Sequence, residues 1–134
     1  MFQNREQAGE LLAQKLLEYK GRKDCLILGI PRGGVVVAKR IAQELNLRID
    51  IIVIRKIGAP NNPELAVGAV APQATVYWDD ELCKRLKIDK RIMKHELRIK
   101  EKERREREEV LRGNKSSIEI KNRTIILVDD GVAT

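Results

Sequence analysis

An α/β fold built on an open parallel sheet is predicted by three observations in the sequence. Two short apolar runs, residues 25–30 and 49–56, are separated by a helical stripe of about a dozen residues. A helix of that length between two strands forms a right-handed crossover, which makes the strands parallel. A third apolar run, residues 124–130, has the same character and supplies another strand.

The first part of the chain provides a helix and this crossover. Residues 4–20 have an amphipathic pattern that Asn4 can cap. The run at residues 25–30 is followed by a Pro-Arg-Gly-Gly turn, as expected after a buried strand. The next helix carries an apolar stripe and can be terminated by Asn46, after which residues 49–56 are predicted to form the second strand.

The middle of the chain is less regular. Residues 57–64 are rich in turn formers and are predicted to be a loop, whereas residues 65–78 can form a hairpin. A short helix is expected over residues 80–87, and Asp89 can cap a long helix that ends near Gly113. Acid-first pairs at i, i+4 spacing contribute about 0.2–0.5 kcal/mol each and would let the long helix stand largely in water. These pairs are Glu96–Lys100, Glu101–Arg105, Glu103–Arg107 and Glu108–Arg112.

The length and composition of the chain predict one domain of modest size with an aliphatic core. The chain has 134 residues, of which 43% are hydrophobic and only 3% aromatic. It has no stretch of about 18 consecutive apolar residues, and its N-terminus lacks the order of a secretion signal. A cytoplasmic protein without a membrane span is therefore expected. Cys25 and Cys83 sit among apolar neighbours and are predicted to be reduced and buried.

The net charge of +7 suits phosphate-bearing partners, either nucleic acid or small phosphorylated metabolites. The same charge could also serve solubility alone. His95 is the only histidine, and its place in the charged helix predicts a surface position. The sequence offers neither a nucleophile–base arrangement nor the ligand spacing of a zinc site.

Chemically distinctive residues follow all three predicted strands. Ligands of open parallel sheets bind beyond the carboxyl ends of the strands. The first strand runs into GIPRGG, the second ends in Arg55 and Lys56, and the third ends in Asp129 and Asp130. A glycine turn at the start of a helix exposes backbone amides that bind anions. This mixture of cationic and anionic strand ends predicts a site for a metal–phosphate ligand.

Each of these segments also has a plain structural interpretation. GIPRGG could be an ordinary turn between a strand and a helix, and Arg55 with Lys56 could be a surface strand end. Asp129 and Asp130 could lie in a solvated turn, with one of them capping a following helix. Adjacent carboxylates repel each other, however, and are best tolerated where hydroxyls, a cation or solvent compensate their charge.

The sequence IILVDDGVAT, residues 125–134, resembles the signature of the type I phosphoribosyltransferases. That signature is an apolar strand, two acids, two variable residues and then Ala-Thr-Gly-x-Thr or a close variant; here it matches as far as Thr134. GIPRGG resembles the pyrophosphate loop of the family, and IRKIGAP resembles the strand end of its orotate and adenine branches. The chain is most similar to a bacterial group of predicted phosphoribosyltransferases with RKIGAPNNPELAVGAV-like and DDGVAT-like stretches.

This resemblance implies a Rossmann-like parallel sheet of the type I phosphoribosyltransferase fold. It also implies an enzyme that transfers a phosphoribosyl group from phosphoribosyl pyrophosphate to a nitrogenous base with release of pyrophosphate. Because the transition state resembles an oxocarbenium ion, binding of the leaving pyrophosphate by magnesium and cations matters more than proton transfer. Mg²⁺ would be bound mainly through the substrate, and no residue of the chain is assigned as a direct metal ligand.

The resemblance also implies roles for individual residues. The catalytic residues would be Asp129 and Asp130, which would contact the ribose hydroxyls. Those that would bind pyrophosphate are Pro31, Arg32, Gly33, Gly34 and Lys56. Those that would wrap the 5′-phosphate with backbone amides are Gly131, Val132, Ala133 and Thr134. The 6-oxopurine branch of the family has an Asp where this chain has Ala133, which disfavours hypoxanthine and guanine as acceptors.

A consequence of the resemblance is that part of the fold is missing. The phosphate loop of the family continues into a helix and two further strands, so residues 1–134 are expected to be a single, incomplete domain. Such a chain is expected to bind phosphoribosyl pyrophosphate weakly or to be inactive. We also expect the strand at residues 25–30 to lose one neighbour and become a bare apolar edge. A homo-oligomer is expected for that reason.

Two other classes of function fit parts of the sequence. Some members of the family sense phosphoribosyl pyrophosphate and regulate gene expression, and the positive charge permits a regulatory or nucleic-acid-binding role. Acids interleave with bases along the long helix, however, so nucleic acid is not favoured as a partner. An assembly module that uses the long helix as its partner surface is the other class. A dinucleotide-binding domain is disfavoured because G-x-G-x-x-G does not follow the first strand.

Overall fold

A computed structural model describes residues 2–131, and the chain divides into two compact units. The first unit comprises Met1–Ile52 and Ser116–Thr134, and the second comprises Val53–Lys115. The elements in chain order are α1 Arg5–Lys15, a 3₁₀ turn Leu17–Tyr19, β1 Cys25–Gly29, α2 Gly33–Leu45, β2 Arg48–Ile51, β3 Arg55–Ala59, β4 Asn62–Ala71, β5 Thr75–Trp78, α3 Asp80–Arg85, α4 Lys90–Arg112 and β6 Thr124–Val128.

The first unit is built on a three-stranded parallel sheet in the order β2-β1-β6. Helix α2 is the crossover between β1 and β2, as the sequence predicted. Gly29 at the end of β1 lies opposite Ile51 of β2 and Val128 of β6. The three strands therefore end level with one another, which gives the sheet a single carboxyl edge.

The prediction that the first strand has a bare edge is wrong. Strand β6 pairs with β1 over its whole length, from Cys25 opposite Thr124 to Gly29 opposite Val128. All five residues of β1 are buried. A strand that follows the acidic segment was expected to pair with β1 on this side. Instead β6, which directly precedes the acids, pairs with β1 there. Association through an exposed β1 therefore has no basis, and a homo-oligomer stays a prediction.

Helix α2 packs on the sheet of the first unit, and α1 packs against α2. The Asn4 side chain accepts a hydrogen bond from the Gln7 amide at 2.7 Å, which confirms the predicted cap of α1. Asn46 ends α2 in the left-handed conformation, with φ of 52°. Helix α1 stops at Lys15, earlier than predicted. One cluster of buried residues in this unit comprises Ala8, Ala13, Ile27, Val37, Ala38, Ile41, Ala42, Leu45 and Val128.

The second unit has an antiparallel sheet in the order β3-β4-β5, with helices α3 and α4. The predicted hairpin is confirmed, because β4 and β5 pair antiparallel. The short and long helices are confirmed as well; Asp89 caps α4 by accepting from the Ile92 amide at 3.0 Å. One cluster of buried residues in this unit comprises Ile57, Ala59, Val67 and Cys83.

Two predictions at the start of the second unit are wrong. Residues 49–56 do not form one strand, because β2 ends at Ile51 and Arg55 opens β3. Residues 57–64 are not a loop, because β3 pairs antiparallel with β4 through an irregular register. A Cβ on Gly58 would lie 2.8 Å from the Pro63 Cα, so glycine permits the close approach of these two strands. The turn formers mark only the short link between β3 and β4.

Helix α4 is largely exposed to solvent, as predicted, but one side of it packs against the rest of the second unit. Met93 and Leu97 pack against the core of the second unit, and Arg104 is only 4% exposed. Two predicted pairs form, Glu101–Arg105 at 3.0 Å and Glu108–Arg112 at 3.2 Å. Glu103 instead pairs with Arg55 of β3 at 3.0 Å and with Lys100 at 3.4 Å, because α4 lies against the sheet.

Other expectations from composition agree with the structure. Cys25 and Cys83 are both free and buried, and burial raises the pKa of each thiol. His95 is exposed on α4. None of the helices within residues 2–131 combines the length and apolar character that a membrane span needs.

Candidate functional site

Two of the three distinctive segments meet at the carboxyl edge of the parallel sheet. After β1 the chain turns through Pro31 and Arg32, whose connecting peptide bond is cis, into the first turn of α2. The Ile30 amide donates a hydrogen bond to the Val128 carbonyl at 2.9 Å, which holds this turn beside the end of β6. The acid pair follows Val128 directly, so a glycine turn and two carboxylates share one edge.

The glycines of the turn allow this close approach. A Cβ on Gly34 would lie 2.7 Å from the Val128 carbonyl oxygen and 2.9 Å from the Asp129 Cα, both backbone atoms. A Cβ on Gly33 would overlap the Asp130 carboxylate. Any larger residue at either position would therefore displace the acidic segment or the start of α2.

The two acids are held differently. The Asp129 carboxylate accepts a hydrogen bond from the Asp130 amide at 2.8 Å. The Asp130 carboxylate accepts from Arg5, the first residue of α1, at a distance of 2.8 Å between Nη2 and Oδ2. Both acids are exposed to solvent. The repulsion expected between adjacent carboxylates is thus compensated by a cation that lies 125 positions away in the sequence.

Arg5 lowers the pKa of Asp130. Its hydrogen bond to the carboxylate, reinforced by their opposite charges, holds the pKa of Asp130 below the ordinary value of 3.8. A lowered pKa means that the folded state favours the carboxylate. The stabilisation from this pair is therefore present above the ordinary pKa and is lost as pH falls through the lowered one. At neutral pH the site presents a charged acceptor.

Replacing Arg5 with glutamine is expected to raise the pKa of Asp130 toward 3.8, because its main stabilising partner is removed. A ¹³C NMR titration of the side-chain carboxyl carbons would measure the change. Asp24 provides an internal control, since its pKa is lowered by Arg22 in a separate ion pair and should not move. An unchanged pKa at Asp130 in the variant would show that the Arg5 pair does not form in solution.

The structure places most of the predicted site residues at this edge. Pro31, Arg32, Gly33 and Gly34 form the turn, with Arg32 exposed and Gly34 buried. Asp129, Asp130 and Gly131 are exposed at the end of β6. Val132, Ala133 and Thr134 lie outside the described residues, so their predicted contacts with a 5′-phosphate stay predictions.

Lys56 is placed differently from its prediction. It is an exposed residue of β3, in the antiparallel sheet of the second unit. Its assignment to pyrophosphate assumes that it ends a strand of the parallel sheet, and that premise is wrong. Its role toward pyrophosphate stays a prediction.

Sequence reasoning missed two residues of this edge. Gly29 ends β1, and a Cβ there would lie 2.9 Å from the Ala38 Cβ of α2. Its place directly before the Ile-Pro-Arg-Gly-Gly turn was a usable signal. Arg5 carried no such signal, because its partner, Asp130, is distant in the chain and a charged residue at a helix start is common.

A groove in the second unit has a different chemical character. It has a volume of about 540 Å³ and lies between α4 and the β4–β5 hairpin. Its charged lining has both signs, and Arg105 and Glu101 within it already pair with each other at 3.0 Å. It offers neither a glycine turn nor an adjacent acid pair, so the carboxyl edge of the parallel sheet is the better candidate for the predicted ligand.

Comparisons with known proteins identify the family of this chain. The sequence model of the family described as "Phosphoribosyl transferase domain" matches residues 2–134. Two Mycobacterium tuberculosis proteins, from strains CDC 1551 / Oshkosh and H37Rv, are named "Putative phosphoribosyl transferase MT0597" and "Putative phosphoribosyl transferase Rv0571c". Each is 37% identical to this chain over 134 residues. The match covers all of this chain but only 30% of either relative's length.

A solved structure shares the fold. The crystal structure of TT1426 from Thermus thermophilus matches the whole chain and 63% of its own, with a TM-score of 0.81 and 37% identity. The resemblance drawn from the three sequence segments and the predicted α/β fold are both confirmed. Because the family match extends over nearly every residue, the chain belongs to the phosphoribosyltransferase domain family.

Proposed function

We propose that this chain binds phosphoribosyl pyrophosphate at the carboxyl edge of its parallel sheet and transfers the phosphoribosyl group to a nitrogenous base, releasing pyrophosphate. The contact between Gly33 and Asp130 carries the proposal. It joins a turn suited to a diphosphate and an acid pair suited to sugar hydroxyls, although the two motifs lie far apart in the sequence. A ligand that contains both groups in one molecule matches that juxtaposition.

The turn end of the site is suited to pyrophosphate. The other α-helices that the structure describes are capped by side chains, Asn4 on α1, Asp79 on α3 and Asp89 on α4. Helix α2 has Arg32 at its N-cap, which makes no side-chain capping hydrogen bond. Amides of its first turn are thus left available to an anion, and the positive end of the helix dipole favours one. The exposed Arg32 guanidinium would add a charge-assisted contact.

The acidic end is suited to the ribose. Ionised carboxylates are acceptors only, so Asp129 and Asp130 would accept hydrogen bonds from the ribose hydroxyls. Their negative charge would also favour a sugar ring that becomes positive as the bond to pyrophosphate lengthens. We assign the two acids the catalytic role on this basis.

The reaction needs little proton chemistry from the protein. The bond between the anomeric carbon and the pyrophosphate oxygen breaks, and its electron pair leaves with pyrophosphate. A new bond forms between that carbon and a nitrogen of the base, whose proton passes to solvent. The contribution of the chain is electrostatic: the turn of α2 and Arg32 stabilise the leaving anion while Asp129 and Asp130 stabilise the ring.

Magnesium fits these residues as an ion carried by the substrate. Within residues 2–131, no three side chains of His, Cys, Asp or Glu come together as a metal site. Asp129 and Asp130 still supply hard oxygen ligands, and Mg²⁺ is commonly bound through one or two carboxylates together with substrate phosphates. Bound in this way, it would neutralise charge on the pyrophosphate as that group leaves.

The remaining roles extend the proposal. We assign the 5′-phosphate to Gly131 and to the three residues after it, where successive backbone amides would wrap an anion. We further propose that the protein acts in the cytoplasm and forms a homo-oligomer. The acceptor is a nitrogenous base, with hypoxanthine and guanine disfavoured by Ala133.

Calorimetric titration with phosphoribosyl pyrophosphate in the presence of Mg²⁺ tests the proposal. The 134-residue chain is expected to bind, but weakly, as the resemblance implies. Asp129→Asn or Asp130→Asn should weaken affinity about tenfold or more, because a charge-assisted hydrogen bond is lost. Asp24→Asn is the matched control. Asp24 also forms an exposed ion pair in the first unit, with Arg22 at 2.7 Å, and its loss should leave affinity unchanged.

A second measurement separates transfer from binding alone. Pyrophosphate release should be followed with adenine, orotate, uracil and hypoxanthine in turn. Release with one base supports the enzyme, whereas tight binding without release with any of them would favour a sensor of phosphoribosyl pyrophosphate. A wild-type chain that does not bind the ligand at all would overturn the proposed function.

A further inference from the structure

We propose that Arg5 contacts the pyrophosphate of the substrate directly and releases Asp130 to the ribose when that group binds; this rests on the proposed function. The inference adds to the site a residue that neither motif contains. It comes from the position of the Arg5 side chain between the two motifs.

Arg5 lies above the glycine turn. It begins α1, whose start is fixed by the Asn4 cap. Its Nη2 is 2.8 Å from the Asp130 Oδ2, and its Nε is 2.8 Å from the point that a Cβ on Gly33 would occupy. Because Gly33 has no side chain, the Arg5 guanidinium lies close to the backbone of the turn. An anion bound by the turn would approach at this point.

A purely structural role explains this arrangement poorly. The side chains of Arg5 and Asp130 are 56% and 36% exposed, and ion pairs between groups this exposed stabilise a fold little. A weak pair can exchange partners at little cost. Pyrophosphate offers Arg5 a stronger partner, because a guanidinium binds phosphate oxygens through two parallel hydrogen bonds.

The charge of the site also calls for a cation at this position. Two carboxylates beside the turn would repel an incoming diphosphate. Arg5 offsets one of them before the ligand binds. After exchange, its positive charge would lie between the diphosphate and Asp130, and the freed carboxylate oxygen could accept a ribose hydroxyl.

Three ligands separate the possible roles of Arg5. Inorganic pyrophosphate, phosphoribosyl pyrophosphate and ribose 5-phosphate, each with Mg²⁺, should be titrated calorimetrically into the 134-residue chain and its variants. Arg5→Gln is expected to weaken both pyrophosphate-containing ligands about tenfold or more and to change ribose 5-phosphate affinity less than about twofold. The affinity of Arg5→Lys for the pyrophosphate-containing ligands should lie between those of the wild type and Arg5→Gln, because lysine keeps the charge but lacks the planar guanidinium.

Arg22→Gln is the matched control. Arg22 forms a similar pair with Asp24 in the same unit, with side chains 41% and 51% exposed. The Arg22→Gln substitution removes the same charge from the chain as Arg5→Gln. The affinities of this variant for the three ligands should equal those of the wild type. An equal loss in Arg22→Gln and Arg5→Gln would reflect net charge alone and would overturn the inference.

Other outcomes distinguish this inference from the proposed function. Wild-type pyrophosphate affinity in Arg5→Gln would overturn the inference and leave the proposed function standing. An equal loss of ribose 5-phosphate affinity would show that Arg5 acts only by positioning Asp130, which also overturns it. A wild-type chain that binds pyrophosphate through Arg5 but not phosphoribosyl pyrophosphate would overturn the proposed function and the release of Asp130 to the ribose, and would leave the contact between Arg5 and pyrophosphate standing. Binding of none of the ligands would overturn both.

Discussion

Alanine at Gly34 is expected to destabilise the chain, whereas alanine at the neighbouring Gly33 is expected to abolish ligand binding with little loss of stability. At Gly34 the new Cβ would lie 2.7 Å from the Val128 carbonyl oxygen and 2.9 Å from the Asp129 Cα. Those are backbone atoms of a paired strand end and cannot rotate away. The free energy of unfolding should fall by about 1–3 kcal/mol, the usual cost of overpacking.

At Gly33 the new Cβ would overlap a side chain, the Asp130 carboxylate, which can turn aside. The fold should therefore survive, but Asp130 would leave the position from which it meets the ribose. Urea unfolding measures the first effect and titration with phosphoribosyl pyrophosphate the second. Gly131→Ala is a control for stability, because none of the atoms described in residues 2–131 lies within 4 Å of its added Cβ, its chain neighbours aside. Equal stability of the Gly33 and Gly34 variants would contradict the packing described at this edge.

Replacing Arg104 with alanine is expected to lower the free energy of unfolding by about 3 kcal/mol, the largest effect we expect in the second unit. Its side chain is only 5% exposed and pairs with Glu101 at 2.9 Å and Glu108 at 2.7 Å. It also donates to the Val53 carbonyl at 3.4 Å. Removing it leaves the Val53 carbonyl without this donor and takes one of two cations from each carboxylate, since Glu101 keeps Arg105 and Glu108 keeps Arg112. We expect the lower part of the usual range because Glu101 and Glu108 keep some contact with solvent.

Arg105→Ala is the matched control for this effect. Arg105 is the next residue of α4 and pairs with Glu101 at 3.0 Å, but its side chain is 71% exposed. An exposed pair of this kind contributes about 0.5 kcal/mol, so urea unfolding should barely change. A similar loss in both variants would mean that burial does not set the strength of the Arg104 pairs.

Much of the fold could be predicted because its signals are local. The crossover from β1 to β2 follows from the spacing of two apolar runs around a helical stripe. The Asn4 and Asp89 caps and the left-handed Asn46 follow from the residue types at helix ends. The meeting of the glycine turn with the acid pair follows from a topological rule, since the ends of parallel strands share one edge.

The errors arose where the determining contacts are not local. Residues 51–54 are all apolar, so no residue type there marks the break after Ile51 or the change to an antiparallel sheet. The burial of Arg104 was not predicted, because arginine is rarely buried. Acids at i−3 and i+4 were nevertheless a signal that it could be paired. The Arg5–Asp130 pair requires knowledge of the finished fold, because nothing near either residue indicates the other.

The order in which the parts of the chain are made bears on how the site forms. A nascent chain leaving the ribosome would complete β1, α2 and β2 first, while β6 is made only after the whole second unit. The second unit is continuous and has its own core, so it can fold while the first still lacks a strand. The long-range step that completes the parallel sheet of the described residues would then be the docking of β6 beside β1. That same step brings the aspartates to the glycine turn, so ligand-binding competence would be acquired late.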